Sequence, residues 1–199
     1  MQSVAGYESQ ATEAATAAKR IDGWFTFAES LELYEMARKG LLISPSILEI
    51  GSYKGKSTSV LGRACKDSGY GKVYAVDPHA GHLWQNAPDL PPTLAAFQAN
   101  IRAAELEQYV VALVMKSAEV HGIDPVGAVF IDGLHDYENV RADFQVATRF
   151  LAPGGYISFH DMNENGPFRV VNEALETGLY ERVSRVDELG VLRLIKRVP

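Results

Sequence analysis

The stretch Ser46–Thr58, reading Ser-Ile-Leu-Glu-Ile-Gly-Ser-Tyr-Lys-Gly-Lys-Ser-Thr, constrains this chain more than any other. Ile47, Leu48 and Ile50 form an apolar run too short for a helix, and Pro45 and Gly51 flank it. That pattern predicts a buried strand. Gly51 and Gly55 then punctuate a tight turn. From Gly55 to about Lys66 the periodicity becomes helical, with Val60, Leu61 and Ala64 on one side. A strand, a glycine turn and a helix N-terminus make the opening of a nucleotide-type site.

Further strands are expected at 72–77, 109–115, 127–132 and 156–160, alternating with helices at 93–105, 138–151 and 168–176. Thr26 with Glu29 three residues on fits a capping box, which starts a helix over 26–38 that Gly40 ends. Two strand-like runs close the chain, at 180–186 and 191–195. The four residues between them cannot hold a crossover helix, so the pair is antiparallel. The fold class is therefore α/β: a doubly wound, mainly parallel sheet with an antiparallel C-terminal hairpin strand. Residues 1–22 read as an arm or a frayed helix, and 23–199 as a single domain. The loop from His79 to Pro92, with His82 and Trp84, is long for a connection and reads as functional.

The 199 residues suit one domain, and a hydrophobic share of 47% supplies its core. The net charge of -6 argues against a nucleic-acid partner. The lone Cys65 allows no internal disulfide and reads as a buried structural thiol. No apolar run approaches the roughly 18 residues of a membrane span, and no signal-peptide core opens the chain, so a cytoplasmic enzyme or binding domain is expected. The N-terminal arm and the long loop are candidate contacts of a homo-oligomer.

Three ligand classes compete for the glycine turn. The dinucleotide fingerprint G-x-G-x-x-G would put Tyr53 where a pyrophosphate needs glycine, which disfavours it. The phosphate loop G-x-x-x-x-G-K-[ST] matches at Gly55-Lys56-Ser57, but Gly51 leaves it one residue short, and Asp77 would have no role. In the third reading Glu49 stands near the end of the first strand, with Gly51 and Gly55 bracketing the turn. Asp77 ends the second strand, where an acid can accept hydrogen bonds from both ribose hydroxyls. Asp132 ends the fourth. That arrangement suits S-adenosylmethionine, whose sulfonium favours an acid-lined crevice.

Glu49-Ile-Gly51-Ser-Tyr-Lys-Gly55-Lys-Ser57-Thr58, Val76-Asp77-Pro78, Ile131-Asp132-Gly133-x-His135-x-Tyr137, and Pro153-Gly-Gly155 with His160-Asp161 resemble the class I S-adenosylmethionine-dependent methyltransferases. More narrowly, they are similar to a small family that includes sugar and macrolide O-methyltransferases and cephamycin-biosynthesis proteins. The resemblance covers roughly residues 23–198. It implies a seven-stranded Rossmann-like sheet and methylation of a small-molecule acceptor, a sugar or natural-product hydroxyl. The alternatives are a phosphate-loop nucleotide hydrolase and a non-catalytic S-adenosylmethionine-binding protein.

The resemblance also implies roles. Glu49, Gly51, Ser52, Gly55 and Ser57 would cradle the methionine part of the cofactor, Asp77 the ribose, and Ser117 and Ala118 the adenine, with Asp132 beside the cofactor. Asp132, His135 and Asp161 are the catalytic candidates, all past the ends of the fourth and fifth strands. Two roles are open to His135: general base, or anchor of its own loop. Asp132, His160 and Asp161 are the metal candidates. Some relatives carry two acids where this chain has His160-Asp161. Histidine is a poor magnesium ligand, so this departure leaves magnesium, a softer metal and no metal as alternatives.

Overall fold

The computed structural model describes residues 4–81 and 91–195. His82 and Trp84 of the long loop lie outside the described residues. Helix α1 (Val4–Ala18) and helix α2 (Phe27–Leu41) precede strand β1 (Ser46–Ile50) and helix α3 (Lys56–Ser68). Strand β2 (Lys72–Val76), helix α4 (Leu94–Ala103), strand β3 (Val110–Leu113) and a single 3₁₀ turn (Ser117–Glu119) follow. Strand β4 (Val126–Ile131), helix α5 (Tyr137–Phe150), strand β5 (Leu151–Phe159), helix α6 (Asn165–Glu176), strand β6 (Tyr180–Val186) and strand β7 (Leu189–Leu194) complete the order.

The seven strands form one sheet in the order β3-β2-β1-β4-β5-β7-β6. All pairings through β5 are parallel, and β7 runs antiparallel to both β5 and β6. The expected hairpin is therefore present, and its second strand is inserted beside β5. From β1 the chain winds outward to β2 and β3, then returns to place β4 on the other side of β1. The carboxyl ends of β1 and β4 thus diverge, and that switch point is where doubly wound sheets open a crevice.

Every residue of β1 is buried, as a central parallel strand covered on both faces requires. Ile47 faces a cluster with Leu33, Tyr34, Val60, Leu61 and Phe130 under α1–α3. Its neighbour Leu48 faces Val129, Val140, Phe159 and Val170 under α5 and α6. Cys65 lies in the first cluster, and burial pushes its thiol up to about 12, which makes it inert. Ala11, Ala14, Ala15 and Ala18 form the buried side of α1, so its small residues let the helix settle closely on its neighbours.

Three local expectations are corrected. Gly40 does not end α2. The helix continues through it, and a Cβ there would stand 2.6 Å from the Ala128 Cβ and 2.9 Å from the Gly127 carbonyl, so the glycine admits β4. The strand expected at 156–160 begins earlier, at Leu151, and takes in the turn-type residues Pro153–Gly155. Those residues bulge within β5, whose register shifts between the pairs Val126–Leu151 and Ala128–Tyr156. The helix expected from 168 begins earlier, at Asn165, so Pro167 sits in the first turn of α6, where a proline has no amide hydrogen bond to lose. The capping box holds: Glu29 N donates to Thr26 Oγ1 at 3.1 Å, and Thr26 N to Glu29 Oε2 at 2.8 Å. Among the described residues no helix is long and apolar enough to cross a membrane.

Candidate functional site

At the carboxyl edge of the sheet lies a cavity of about 780 Å³. Its wall runs from the segment after β3, past the ends of β2, β1, β4 and β5, to the β6–β7 turn. The glycine turn shapes its floor. Gly51 has φ +90, and a Cβ there would fall 2.1 Å from the Asp132 carbonyl oxygen, so only glycine lets the end of β1 pass that close to β4. Gly51 N donates to Val76 O at 2.9 Å and Asp132 N to Ile50 O at 2.8 Å, which stitches the three central strand ends together.

Asp77 holds this floor in shape. Its Oδ2 accepts from Tyr53 N at 2.8 Å and its Oδ1 from His79 N at 2.6 Å. Each oxygen keeps a further lone pair for a ligand hydroxyl. Tyr53 and His79 both have positive φ, at 45 and 52, so the carboxylate secures two left-handed turns at once. His79 itself is buried, with Nδ1 2.8 Å from Thr93 Oγ1 and its ring against Phe97. Pro78 lines the cavity and His79 does not.

The proposed cofactor residues divide. Gly51, Ser52, Ser57, Asp77, Ser117, Ala118 and Asp132 line the cavity. Among the described residues Ser52 Oγ is buried there without a hydrogen-bond partner, which is an unmet need for a polar ligand atom. Glu49 and Gly55 do not line it. Glu49 is fully buried under the helix start and accepts from Ser57 Oγ at 2.6 Å and Thr58 Oγ1 at 2.5 Å. Burial pushes its carboxyl up to about 8 against those two hydroxyls, and the nearby Asp132 and Asp77 charges push the same way. Gly55 caps α3 at φ +88, with the Phe97 ring 3.1 Å from where a Cβ would lie.

Across the cavity stands a chain of charged groups. His135 Nε2 is 2.8 Å from Asp161 Oδ2. His160 Nδ1 is 3.2 Å from the same Asp161 oxygen and 3.3 Å from Asp132 Oδ1. On the other side of that ring, Nε2 is 3.4 Å from Glu29 Oε1, an ion-pair distance too long and misaligned for a hydrogen bond. Burial pushes His160 down, but Asp132, Asp161 and Glu29 outweigh it and raise it to about 12. Three acids thus surround the His160 ring and favour its protonated form. Burial likewise works against an ionised Asp161, yet His135 and His160 prevail and hold it well below the usual carboxylate range. Asp132 is raised, chiefly by burial. His135 is raised above its ordinary value because Asp161, Asp132 and Glu164 outweigh its burial.

Local folding explains these placements. His160 N donates to Ile131 O at 3.1 Å, extending the β4–β5 ladder by one rung. Asp161 then turns at φ 53 and faces His135 across the crevice. Gly166 in α6 lets that helix press on the His135 loop, since a Cβ there would lie 2.1 Å from the His135 carbonyl oxygen. Asp132, His135 and Asp161 each bring one ligand-type atom within 4.8 Å of the others, as do His160, Asp161 and Glu188.

Two contributors escape the sequence reading. Glu29 looks like a helix cap, yet it also lines the cavity and accepts from Glu188 N at 2.9 Å, besides facing His160. Asp143 looks like one polar position of an amphipathic helix, yet it is buried on the cavity wall. The capping-box spacing signals Glu29's first job and nothing signals its second. Trp24 and Phe25 part company: Phe25 packs on Phe130 and His160, whereas Trp24 stays 72% exposed against Tyr53 on the cavity rim.

Comparison with known proteins agrees with this fold. The tomaymycin-synthesis O-methyltransferase TomG of Streptomyces achromogenes, solved with S-adenosylmethionine, is 15% identical over 98% of this chain and 92% of its own, with a TM-score of 0.62. The O-methyltransferase NovP is 13% identical over 86% and 81%, with a TM-score of 0.72. A Bacillus cereus O-methyltransferase in complex with S-adenosylhomocysteine is 19% identical over 96% and 90%, with a TM-score of 0.62. At such identities the likeness is one of fold. The family described as a methyltransferase domain matches residues 48–162, the span from β1 through β5 that builds most of the cavity. The chain belongs to this methyltransferase-domain family and has the Rossmann-like fold of class I S-adenosylmethionine-dependent methyltransferases.

Proposed function

We propose that the protein transfers the methyl group of S-adenosylmethionine to an oxygen of a small-molecule acceptor. One observation carries the reading: a single cavity joins the glycine turn and Asp77 to the His135–Asp161 pair. The residues fit that cofactor. Ser52 Oγ offers an unmet polar atom beside the turn, Asp77 has lone pairs to accept the ribose hydroxyls, and Asp132 places negative charge near a sulfonium. When bound, it supplies an activated methyl carbon, whose bond to sulfur breaks as the acceptor oxygen bonds to it. The protein's part is to align the acceptor and receive its proton. His135 takes that proton, with its Nε2 oriented by Asp161 Oδ2. A sugar or natural-product hydroxyl is the acceptor class favoured by the resemblance and by the O-methyltransferases that share the fold.

The donor set does not suit magnesium. Asp132 and Asp161, the two acids such an ion would use, already face the His160 ring. A second cation beside an imidazolium meets like charge, and magnesium prefers an all-oxygen shell. His160 supplies the positive charge there. Calorimetry with S-adenosylhomocysteine, run with a chelator and then with magnesium, tests both parts. Micromolar binding that is equal in the two conditions is expected. Absence of binding would overturn the cofactor reading, and binding only with magnesium would overturn the role given to His160.

A further inference from the structure

The segment that joins α1 to α2 lines one side of the cavity. Two lysines, one on each side of Gly55, tie it down. Lys54 Nζ lies 2.6 Å from Asp22 Oδ2, and Lys56 Nζ donates to Gly23 O at 2.7 Å. Phe25 anchors the same segment, buried against Phe130 and the His160 ring. Thr26 Oγ1 then donates to Asp187 Oδ2 at 2.9 Å. Between these ties Trp24 stays 72% exposed, with its ring centre 5.6 Å from that of Tyr53. An indole carries one of the largest apolar surfaces of any side chain, so this is a broad aromatic face fixed in place and left uncovered.

Charge on the neighbouring wall is one-sided. Asp187 and Glu188 come from the β6–β7 turn and Glu164 from the loop after β5, and all three line the cavity. A Glu188 carboxylate oxygen lies within 4.8 Å of one on Asp161. The side-chain hydrogen bonds to Glu188 and Asp187 come from neutral groups: Asn163 Nδ2 to Glu188 Oε1 at 2.7 Å, and the Thr26 hydroxyl. Among the described residues no lysine or arginine makes an ion pair with these three acids, and Lys54 and Lys56 are engaged by the segment itself. His135 and His160 already face Asp132, Asp161 and Glu29. Uncompensated carboxylates raise the local concentration of positive charge, and an open indole face attracts it. A neutral ligand takes the hydrogen bonds of this wall but gains nothing from its charge.

We propose that the acceptor carries an ammonium group beside the hydroxyl that is methylated, and that the Trp24 ring face and the Glu188 carboxylate hold that group. The charge also decides which atom reacts. A protonated amine has no lone pair to offer a methyl carbon, so it anchors the molecule, and the neighbouring hydroxyl oxygen, which keeps its lone pairs, is the nucleophile. This rests on the reading of the cavity as a methyl-transfer site.

The test compares choline with 3,3-dimethylbutan-1-ol, which has the same shape with carbon in place of the charged nitrogen. Each is titrated into the full chain without cofactor, and the Trp24 indole and Glu188 amide resonances are followed by NMR, with Trp84→Phe to assign the indole. Choline should bind about tenfold or more tightly than its neutral counterpart, the range expected for a cation held by a ring face and a carboxylate. The gap should shrink in about 0.5 M salt, where charges are screened within a few ångströms. Trp24→Leu and Glu188→Gln should each cut the preference severalfold. Equal binding of the two probes overturns the proposal, and so does a titration in which neither probe moves either resonance. A preference that survives in both folded variants overturns it as well, because the charge would then be read elsewhere. The cofactor reading is judged separately, by calorimetry with S-adenosylhomocysteine. Failure there beside an intact choline preference would bring down methyl transfer, and the acceptor role with it, while the cation site stood.

Discussion

His135 and Asp161 show how two residues set each other's protonation. The Asp161 carboxylate stabilises a positive imidazole, so His135 loses its proton at higher pH than an ordinary histidine, and the proposed base role would be turned on as pH rises. Turnover should therefore climb with pH and level off at a higher pH than an ordinary histidine base would give. Asp161→Asn removes the charge that raises His135, so the inflection in the kcat profile should move to lower pH while kcat falls. A profile unmoved by that substitution would assign the proton elsewhere. Glu49 gives a second pH signature. Its folded value of about 8 lies above that of an unfolded glutamate, so the native state holds the proton longer. Its contribution to stability is greatest below about pH 4.5 and is lost as pH rises to about 8. The urea midpoint of Glu49→Gln should accordingly exceed the native one by more at pH 9 than at pH 6.

At the scale of elements, the contact between α2 and β4 is made by glycine on both sides. A Cβ on Gly127 would stand 2.0 Å from the Gly40 carbonyl oxygen, and one on Gly40 would strike Ala128. Gly→Ala inside a helix ordinarily stabilises by about 1 kcal/mol. Here the sign reverses, and Gly40→Ala should destabilise by about 1–3 kcal/mol through overpacking, read from chemical unfolding. This is also where sequence reading reaches its limit. A glycine after Arg38-Lys39 signals a helix end in local terms, and only the approach of β4, some ninety positions away, reveals its other use. The bulge of β5 is similar: Pro153-Gly154-Gly155 carries turn chemistry, and its incorporation into a strand depends on the β4 partner. The glycine turn after β1 was legible because strand, turn and helix cap all lie within one short segment and agree with one another.

For the whole molecule, the alternation of strands and helices and the short final connection were enough to set a mainly parallel sheet with one reversed strand. The residues at strand ends were legible as a group for the same reason, since topology brings the carboxyl ends of parallel strands to one edge. Glu29 and Asp143 were not, because helix-borne side chains reach the cavity only through tertiary packing. Glu29 spans the molecule most fully: it caps α2, accepts from the β6–β7 turn and faces His160. Glu29→Gln would leave His160 with one fewer carboxylate in a buried place. It should cost about 3 kcal/mol and lower the His160 value, followed by urea unfolding and by imidazole resonances in NMR titration.

The same turn holds a second tie, from Thr26 Oγ1 to Asp187 Oδ2 at 2.9 Å, which joins positions 161 apart in sequence. Its consequence lies in the order of assembly. A ribosome releases α1, α2 and β1–β5 before the hairpin, so the cavity wall at the β6–β7 turn stays unfinished until β6 and β7 are made. Closing so long a loop is slow by comparison with the local β/α units. A chain that has made only β1–β5 therefore lacks the part of the cavity wall that Asp187 and Glu188 supply, and the cavity is whole only with the hairpin in place.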